Sequence, residues 1–303
     1  MKLIPGWYAA WDSKEFKQNK ITSGERFGIP LVGWRTKAGG ISILKDLCPH
    51  RSAKLSLGIL KDDELACPFH GFRFDIEGKC TLIPEIKRGS DKVCTEHFLT
   101  QEKHGFIWIF YGPKEQASQT QIPWFTELDQ RFTHSQMIET WDTHFTRSVE
   151  NQLDYAHLPY VHRTTIGKFA DPNKTPVMEL TDERIRWGFD PNNRTNGYIE
   201  FLFPNVWVNR LGDKFSITLA FVPVNETTTR LYLRTYRRFA KLPIIGHLVG
   251  WALNLSNRFI LNQDHDVVMS QKPINALQAP NEILVGSDAA IRHFRKQTEK
   301  LGV

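Results

Sequence analysis

The first third of the chain alternates apolar and polar positions in short segments cut by glycine and proline, the pattern of β-strands joined by tight turns. Strands are predicted over 28–34, over 41–44 and over the continuous apolar run 106–111, which Gly105 and Gly112 bound. From Pro113 to Pro123 the chain turns polar, which predicts a linker and two units, 1–115 and 116–303. Beyond the linker the pattern predicts a helix over 146–158 and strands over 184–187, 198–203, 215–222 and 230–236. In the last of these Leu231 and Leu233 alternate with Tyr232 and Arg234, as in a half-buried strand. Ile245, Leu248, Val249, Ala252, Leu255, Phe259 and Leu261 approximate helical spacing and predict a long helix over 244–270. Helix, sheet and helix in that order imply an α+β second unit, a long helix laid on an antiparallel sheet.

The most apolar stretch, 242–261, opens on Pro243 and is interrupted by His247, Asn254, Asn257 and Arg258. A bilayer span needs about 20 predominantly apolar residues. A buried amphipathic helix is therefore expected, ahead of a membrane-surface helix and well ahead of a span. At 303 residues, 41% hydrophobic and 24% charged, the chain reads as an ordinary globular protein of two domains or one large one. The net charge of +6 is spread without a run of five like charges, which argues against nucleic-acid binding and leaves room for docking a small acidic protein. No long apolar core follows Met1, so a cytoplasmic location is expected, and the four cysteines are expected to be metal ligands or free thiols rather than disulfides.

Two of those cysteines head similar short motifs, Cys48-Pro49-His50-Arg51 and Cys67-Pro68-Phe69-His70-Gly71-Phe72, sixteen residues apart. Two thiolates and two imidazoles on two loops are the ligand set of a Rieske [2Fe–2S] cluster, in which the cysteines hold one iron and the histidines the other. Structural zinc is the alternative, but its ligands usually come as Cys-x2-4-Cys and His-x3-5-His, whereas here cysteine and histidine alternate at tight spacing. Cys80 and Cys94 have no partnering histidine and are expected to be buried free thiols.

A second constellation lies downstream, in Glu150-Asn151-Gln152-Leu153-Asp154-Tyr155-Ala156-His157-Leu158-Pro159-Tyr160-Val161-His162. Asn151, Asp154 and His157 recur every third residue and would share one helix face, and a break at Pro159 would swing His162 back toward His157. Two imidazoles and one carboxylate on one face of iron leave positions open for dioxygen. Asp264 and Asp266, late in the long helix, are the candidate carboxylates.

With these residues the chain resembles the Rieske non-haem iron, or ring-hydroxylating, oxygenases over nearly its whole length. The family pattern Asn-x2-Asp-x2-His-x4-His matches Asn151, Asp154, His157 and His162; its late Glu/Gln-Asp element matches Gln263-Asp264, and a downstream glutamine matches Gln271. The resemblance implies an all-β Rieske domain followed by a helix-grip (START-like) catalytic domain. It implies Cys48, His50, Cys67 and His70 on the cluster and His157, His162 and Asp264, rather than Asp266, on a mononuclear Fe(II). Asp154 would bridge to His70 of a neighbouring subunit in a homotrimer, and Asn151 would lie near the iron. The implied chemistry is O2-dependent mono-oxygenation, by hydroxylation or oxidative demethylation. Cis-dihydroxylation is one alternative, and a pure electron-transfer protein is another from a different class. Electrons would come from NAD(P)H through a separate flavin reductase or ferredoxin, since the chain has no Gly-x-Gly-x-x-Gly fingerprint. The substrate is expected to be an apolar organic molecule, with Trp187, Phe201, Phe203, Trp207, Phe221 and Trp251 as candidate pocket walls.

Overall fold

The computed structural model describes residues 1–171, 174–190 and 197–302. It divides into two compact units, one of residues 6–121 and one of residues 1–5 with 122–303.

The first unit is all-β. Its strands are β1 (Gly6–Asp12), β2 (Ile21–Arg26), β3 (Ile29–Arg35), β4 (Ile41–Lys45), β5 (Ile59–Lys61), β6 (Glu64–Ala66), β7 (Arg73–Phe74), β8 (Lys79–Ile83), β9 (Arg88–Cys94), β10 (Thr100–Lys103) and β11 (Phe106–Tyr111). They form three sheets, ordered β1-β11-β10, β2-β3-β4 and β5-β6-β7-β8-β9. The apolar run 106–111 is explained by position: β11 is the middle strand of its sheet and is buried along nearly its whole length, so no face of it calls for polar residues. Val32, Trp34, Leu44, Leu55, Leu65 and Phe74 build a core into which Cys48, Cys67 and Cys80 also pack. Cys80 is thus buried as expected, and burial raises its thiol pKa. Cys94 is not: it is exposed, because it ends the edge strand β9, which has no fully buried position.

The second unit is α+β. A seven-stranded antiparallel sheet runs β12 (Thr133–Trp141), β18 (Thr228–Arg237), β17 (Phe215–Asn225), β16 (Val206–Arg210), β15 (Tyr198–Leu202), β14 (Arg184–Gly188) and β13 (Val177–Leu180). Between β12 and β13 lie the helices α1 (Phe145–Leu153) and α2 (Leu158–Val161); α3 (Pro243–Ser270) and α4 (Ala289–Leu301) follow the sheet. The segments predicted as strands take their places as β14, β15, β17 and β18, while the pattern gave no sign of β12, β13 or β16.

Two helix expectations need correction. The helix predicted over 146–158 stops at Leu153. Asp154 has extended backbone and its Oδ1 accepts the Ala156 N–H at 2.7 Å, a local side-chain bond that competes with the helix. The break therefore falls before His157, so Asn151, Asp154 and His157 do not share one helix face. Pro159 opens α2, where its missing N–H costs nothing, rather than ending a helix. The long helix exists, but it is not buried: Ile244, Leu248, Trp251, Leu255 and Phe259 are exposed. It lies against the edge strand β12, so one side of it has nothing above it among the described residues.

His144 caps α1, its ring Nδ1 2.9 Å from Thr146 Oγ1. Burial lowers its pKa to about 4. An unfolded histidine titrates near 6.5, so between about pH 6.5 and 4 the unfolded chain binds a proton that the folded chain refuses. The resulting stability is complete above about 6.5 and falls by about 3 kcal/mol on acidification to pH 4. Urea unfolding across this range is expected to show that loss in the wild type and a correspondingly flatter profile in His144→Asn, which can cap but does not titrate.

Candidate active site

The two cysteine loops are built alike. The Cys48 N–H donates to Ala53 O at 2.8 Å and the Cys67 N–H to Phe72 O at 2.8 Å, each five residues on. Cys48 O accepts from the Ser52 N–H at 2.9 Å and Cys67 O from the Gly71 N–H at 3.0 Å, each four residues on. The fourth residue after each cysteine is left-handed, Ser52 at φ 56° and Gly71 at φ 72°. At Gly71 a side chain would also crowd Pro84, so glycine suits the turn on both counts. The sulfurs lie buried and the histidines exposed.

Cys48 and Cys67 neighbour each other; burial first, and then the adjoining thiol, push Cys48 up to about 11. The rings of His50 and His70 stand 4.6 Å apart, and His50 stacks on Phe72 at 4.8 Å. The four residues thus form one thiol pair and one imidazole pair. A thiol pair and an imidazole pair fit two irons.

The second site is assembled from the end of α1, the turn after it, α2 and the C-terminal half of α3. Among the described residues, His157, His162 and Asp264 alone bring three metal-ligand atoms within 4.8 Å of one another. His162 Nε2 is 3.0 Å and His157 Nε2 3.5 Å from Asp264 Oδ1. Neither ring nitrogen is aligned for a hydrogen bond, so this buried oxygen has no hydrogen-bond partner. A buried carboxylate oxygen left so is costly, and a cation between the three groups satisfies it. Asp266 points to solvent, its side chain 91% exposed against 2% for Asp264.

Neighbouring side chains hold these groups through contacts that the sequence did not reveal. Gln263 Oε1 meets His162 Nδ1 at 2.9 Å and accepts the Thr165 hydroxyl at 2.9 Å, fixing the ring with Nε2 toward Asp264. Burial lowers the His162 pKa, but Asp264 and Gln263 outweigh it and the net shift is upward. Gln152 donates to Asp264 Oδ2 at 3.4 Å, and its carbonyl accepts the Trp207 indole N–H at 3.1 Å. Asp154 Oδ2 lies 3.6 Å from His157 Nδ1, and the Asn151 amide nitrogen is buried without a partner. Gln271 ends α3 as its C-cap.

These groups open onto a cavity of about 270 Å³ between the sheet and α3. Its wall is aliphatic, with Ile199, Ile217, Leu219, Leu233, Ile260 and Leu261, rather than the aromatic wall expected. Of the six aromatic candidates only Trp207 lines it. Phe201 and Phe203 pack on Phe294 of α4, Phe221 neighbours Phe201, Trp187 packs on Tyr155, and Trp251 is exposed. Asn151, Gln152, Asn209 and Asn257 supply amides, and no lysine or arginine is among the described lining residues.

The Rieske [2Fe-2S] domain family matches residues 6–101, and the vanillate O-demethylase oxygenase C-terminal domain family matches residues 141–202 and 205–303. "Protein TIC 55, chloroplastic" of Pisum sativum is 25% identical over 320 residues, covering 98% of this chain and 58% of that protein. The 3-ketosteroid-9-alpha-monooxygenase oxygenase component of Rhodococcus rhodochrous is 31% identical over 167 residues, 53% of this chain and 44% of its own. The solved structure of Pseudomonas putida CBB5 NdmA, named a methylxanthine N1-demethylase, superposes with a TM-score of 0.79 at 23% identity, covering 97% of this chain and 89% of NdmA. The chain spans between about two fifths and three fifths of the length of the first two relatives. With one family matching the cluster unit and the other more than half of the chain, this protein belongs to the Rieske non-haem iron oxygenases.

Proposed function

We infer that the chain is the terminal oxygenase of a multicomponent system and adds one oxygen atom to a compact, largely apolar, uncharged organic substrate, by hydroxylation or oxidative demethylation. The observation that carries this reading is the buried trio His157, His162 and Asp264 opening onto an aliphatic cavity. Iron held there supplies dioxygen activation, because two imidazoles and one carboxylate leave coordination positions open. Cys48, Cys67, His50 and His70 would hold the [2Fe–2S] cluster.

The chain's own residues do the rest. Gln263 and Gln152 orient His162 and Asp264. The aliphatic walls exclude water from the substrate, and the amides of Asn151 and Asn209 can orient one polar group on it. A lining without lysine or arginine disfavours an anionic substrate. Asp154 Oδ2 faces the outer nitrogen of His157 at 3.6 Å, where its negative charge favours a proton on that nitrogen without a direct hydrogen bond. In a homotrimer with heterologous contacts, the exposed His70 of one copy would meet Asp154 of the next. Electrons would arrive from NAD(P)H through a separate reductase or ferredoxin.

Anaerobically purified protein is expected to hold about three irons and two acid-labile sulfides per chain, with a Rieske-type EPR signal after reduction. Asp264→Ala is expected to drop to about two irons with the sulfide and the signal unchanged. Two irons in the wild type would instead leave an electron carrier. With labelled dioxygen, one labelled atom per product molecule marks mono-oxygenation and two mark cis-dihydroxylation.

A further inference from the structure

Helix α3 is amphipathic in the reverse of the usual sense. The side that lies on β12 and β18 is small and polar. A Cβ on Gly250 would stand 3.0 Å from that of Ser135, Asn254 donates to Gln136 O at 3.0 Å, and Asn257 donates to Thr235 Oγ1 at 2.7 Å. The large apolar residues face outward instead: Ile244 is 78% exposed, Leu248 65%, Trp251 68%, Leu255 57% and Phe259 58%. Their spacing of four, three, four and four residues makes one continuous stripe, which the exposed Leu242 extends past the helix start. Glycines and amides seat the helix without using these side chains, so the stripe is not a by-product of packing.

Charge at the start of the stripe is positive, whereas the exposed Asp266 lies in line with its far end. Between Glu226 and Asp264 the chain has no acidic residue; of its six basic ones Arg234 and Arg237 are buried, Arg230 and Arg238 are half-buried, and Lys241 and Arg258 are exposed. Lys241 is exposed just before α3, and the Arg238 N–H bonds Lys214 O at 3.0 Å, which brings a second exposed lysine to the same end. The nearby acids are paired, Asp213 with Arg210 at 3.0 Å and Glu139 with Arg258 at 2.8 Å. A second copy of this chain laid stripe to stripe about a twofold axis would bring Lys241 and Lys214 of both copies together. An anionic lipid surface complements both features: acyl chains take the apolar stripe, and headgroup phosphates take the basic end. No described helix is long and apolar enough to cross a membrane.

We propose that the outer face of α3 seats this protein peripherally on anionic bilayers, with Ile244, Leu248, Trp251, Leu255 and Phe259 in the interface and Lys241 and Lys214 at the headgroups. The test is flotation of the 303-residue protein with phosphatidylcholine vesicles that either contain or lack phosphatidylglycerol. The expected result is binding to the anionic vesicles, at least about tenfold weaker binding to pure phosphatidylcholine, and release by high salt. The triple variant Leu248→Ser, Trp251→Ser, Leu255→Ser is expected to lose binding with the cluster absorbance and the oligomeric mass unchanged. Failure of the wild type to float with anionic vesicles, or equal binding by the triple variant, overturns the proposal. A drop in oligomeric mass in that variant, with no vesicle binding by the wild type, assigns the stripe to a second copy instead. Should the triple variant not fold, brominated acyl chains decide the same point: they should quench the fluorescence that Trp251→Tyr removes, and absence of that quenching also overturns it.

Discussion

Gly167→Ala is expected to strip the mononuclear iron from the protein while leaving the [2Fe–2S] cluster in place. A Cβ at this position would stand 1.8 Å from Leu158 O, 2.6 Å from Leu158 C and 2.9 Å from His162 C, distances that only backbone movement can relieve. The Gly167 N–H also bonds His162 O at 3.0 Å, so this residue closes the turn that follows α2. Leu158 adjoins His157, and pushing it and His162 apart moves both imidazoles relative to Asp264. Losing the support of a ligand typically costs about 10–100-fold in metal affinity. Iron per chain is therefore expected to fall from about three to about two, with sulfide and the reduced EPR signal retained. Gly286→Ala, where a Cβ meets nothing within 4 Å, serves as the control and should keep all its iron. Full iron in Gly167→Ala would show that the site does not depend on this contact.

Arg295→Met is expected to give the largest loss of stability. Arg295 Nε lies 2.7 Å and its Nη2 2.8 Å from the Glu150 carboxylate, and Nη2 also reaches Glu282 at 2.6 Å. Arg147, almost fully buried, joins the same group through Glu282 at 2.7 Å and the Pro273 carbonyl at 2.8 Å. Burial pushes the Glu150 pKa upward, and the two arginines oppose that rise. Without Arg295 the Glu150 carboxylate keeps only Arg147, at 3.5 Å. Removing one partner of a buried pair costs about 3–5 kcal/mol, or on the order of 10 °C in the melting temperature of a unit this size. Glu150 precedes Asn151 on α1, so iron loading is expected to weaken as well. The double variant Glu150→Gln, Arg295→Met should recover part of the loss, because no carboxylate is then left buried and underpaired. Thermal unfolding of the three proteins decides this, and an unchanged melting temperature in Arg295→Met would refute it.

The sequence carried the chemistry of these sites better than their shape. Cys48, His50, Cys67 and His70 stand out because ligand type and spacing are local properties. The trio His157, His162 and Asp264 is only half local: the histidines announce themselves, but helical pitch decides between Asp264 and Asp266, and in α3 it turns the first inward and the second outward. Asp154 misled the helix boundary because a short carboxylate bonding its own backbone outweighs the apolar period. The pocket wall misled for a different reason. Phe201 and Phe221 have the same strand parity as Ile199 and Leu219, but they lie farther along β15 and β17, where Phe294 of α4 meets Phe201. Parity reads out a face, not a position along it. The outward stripe of α3 was legible as apolar periodicity, but periodicity does not say which side of a helix meets the protein.

Helix α3 carries three unlike duties on two faces: on the inward face Gly250, Asn254 and Asn257 sit against the sheet and, further along, Leu261 and Asp264 meet the cavity, while the apolar stripe faces outward. Each further residue turns a helix by about 100°. One residue gained or lost between Gly250 and Asn257 would leave the first half seated and rotate everything after it, taking Asp264 from the histidines and Gln263 from His162 together. Exchange of one outward apolar side chain for another leaves the inward face intact. Natural variants of this protein should therefore exchange one large apolar residue for another along the outer stripe of α3, and differ hardly at all in the number of residues between Gly250 and Asp264.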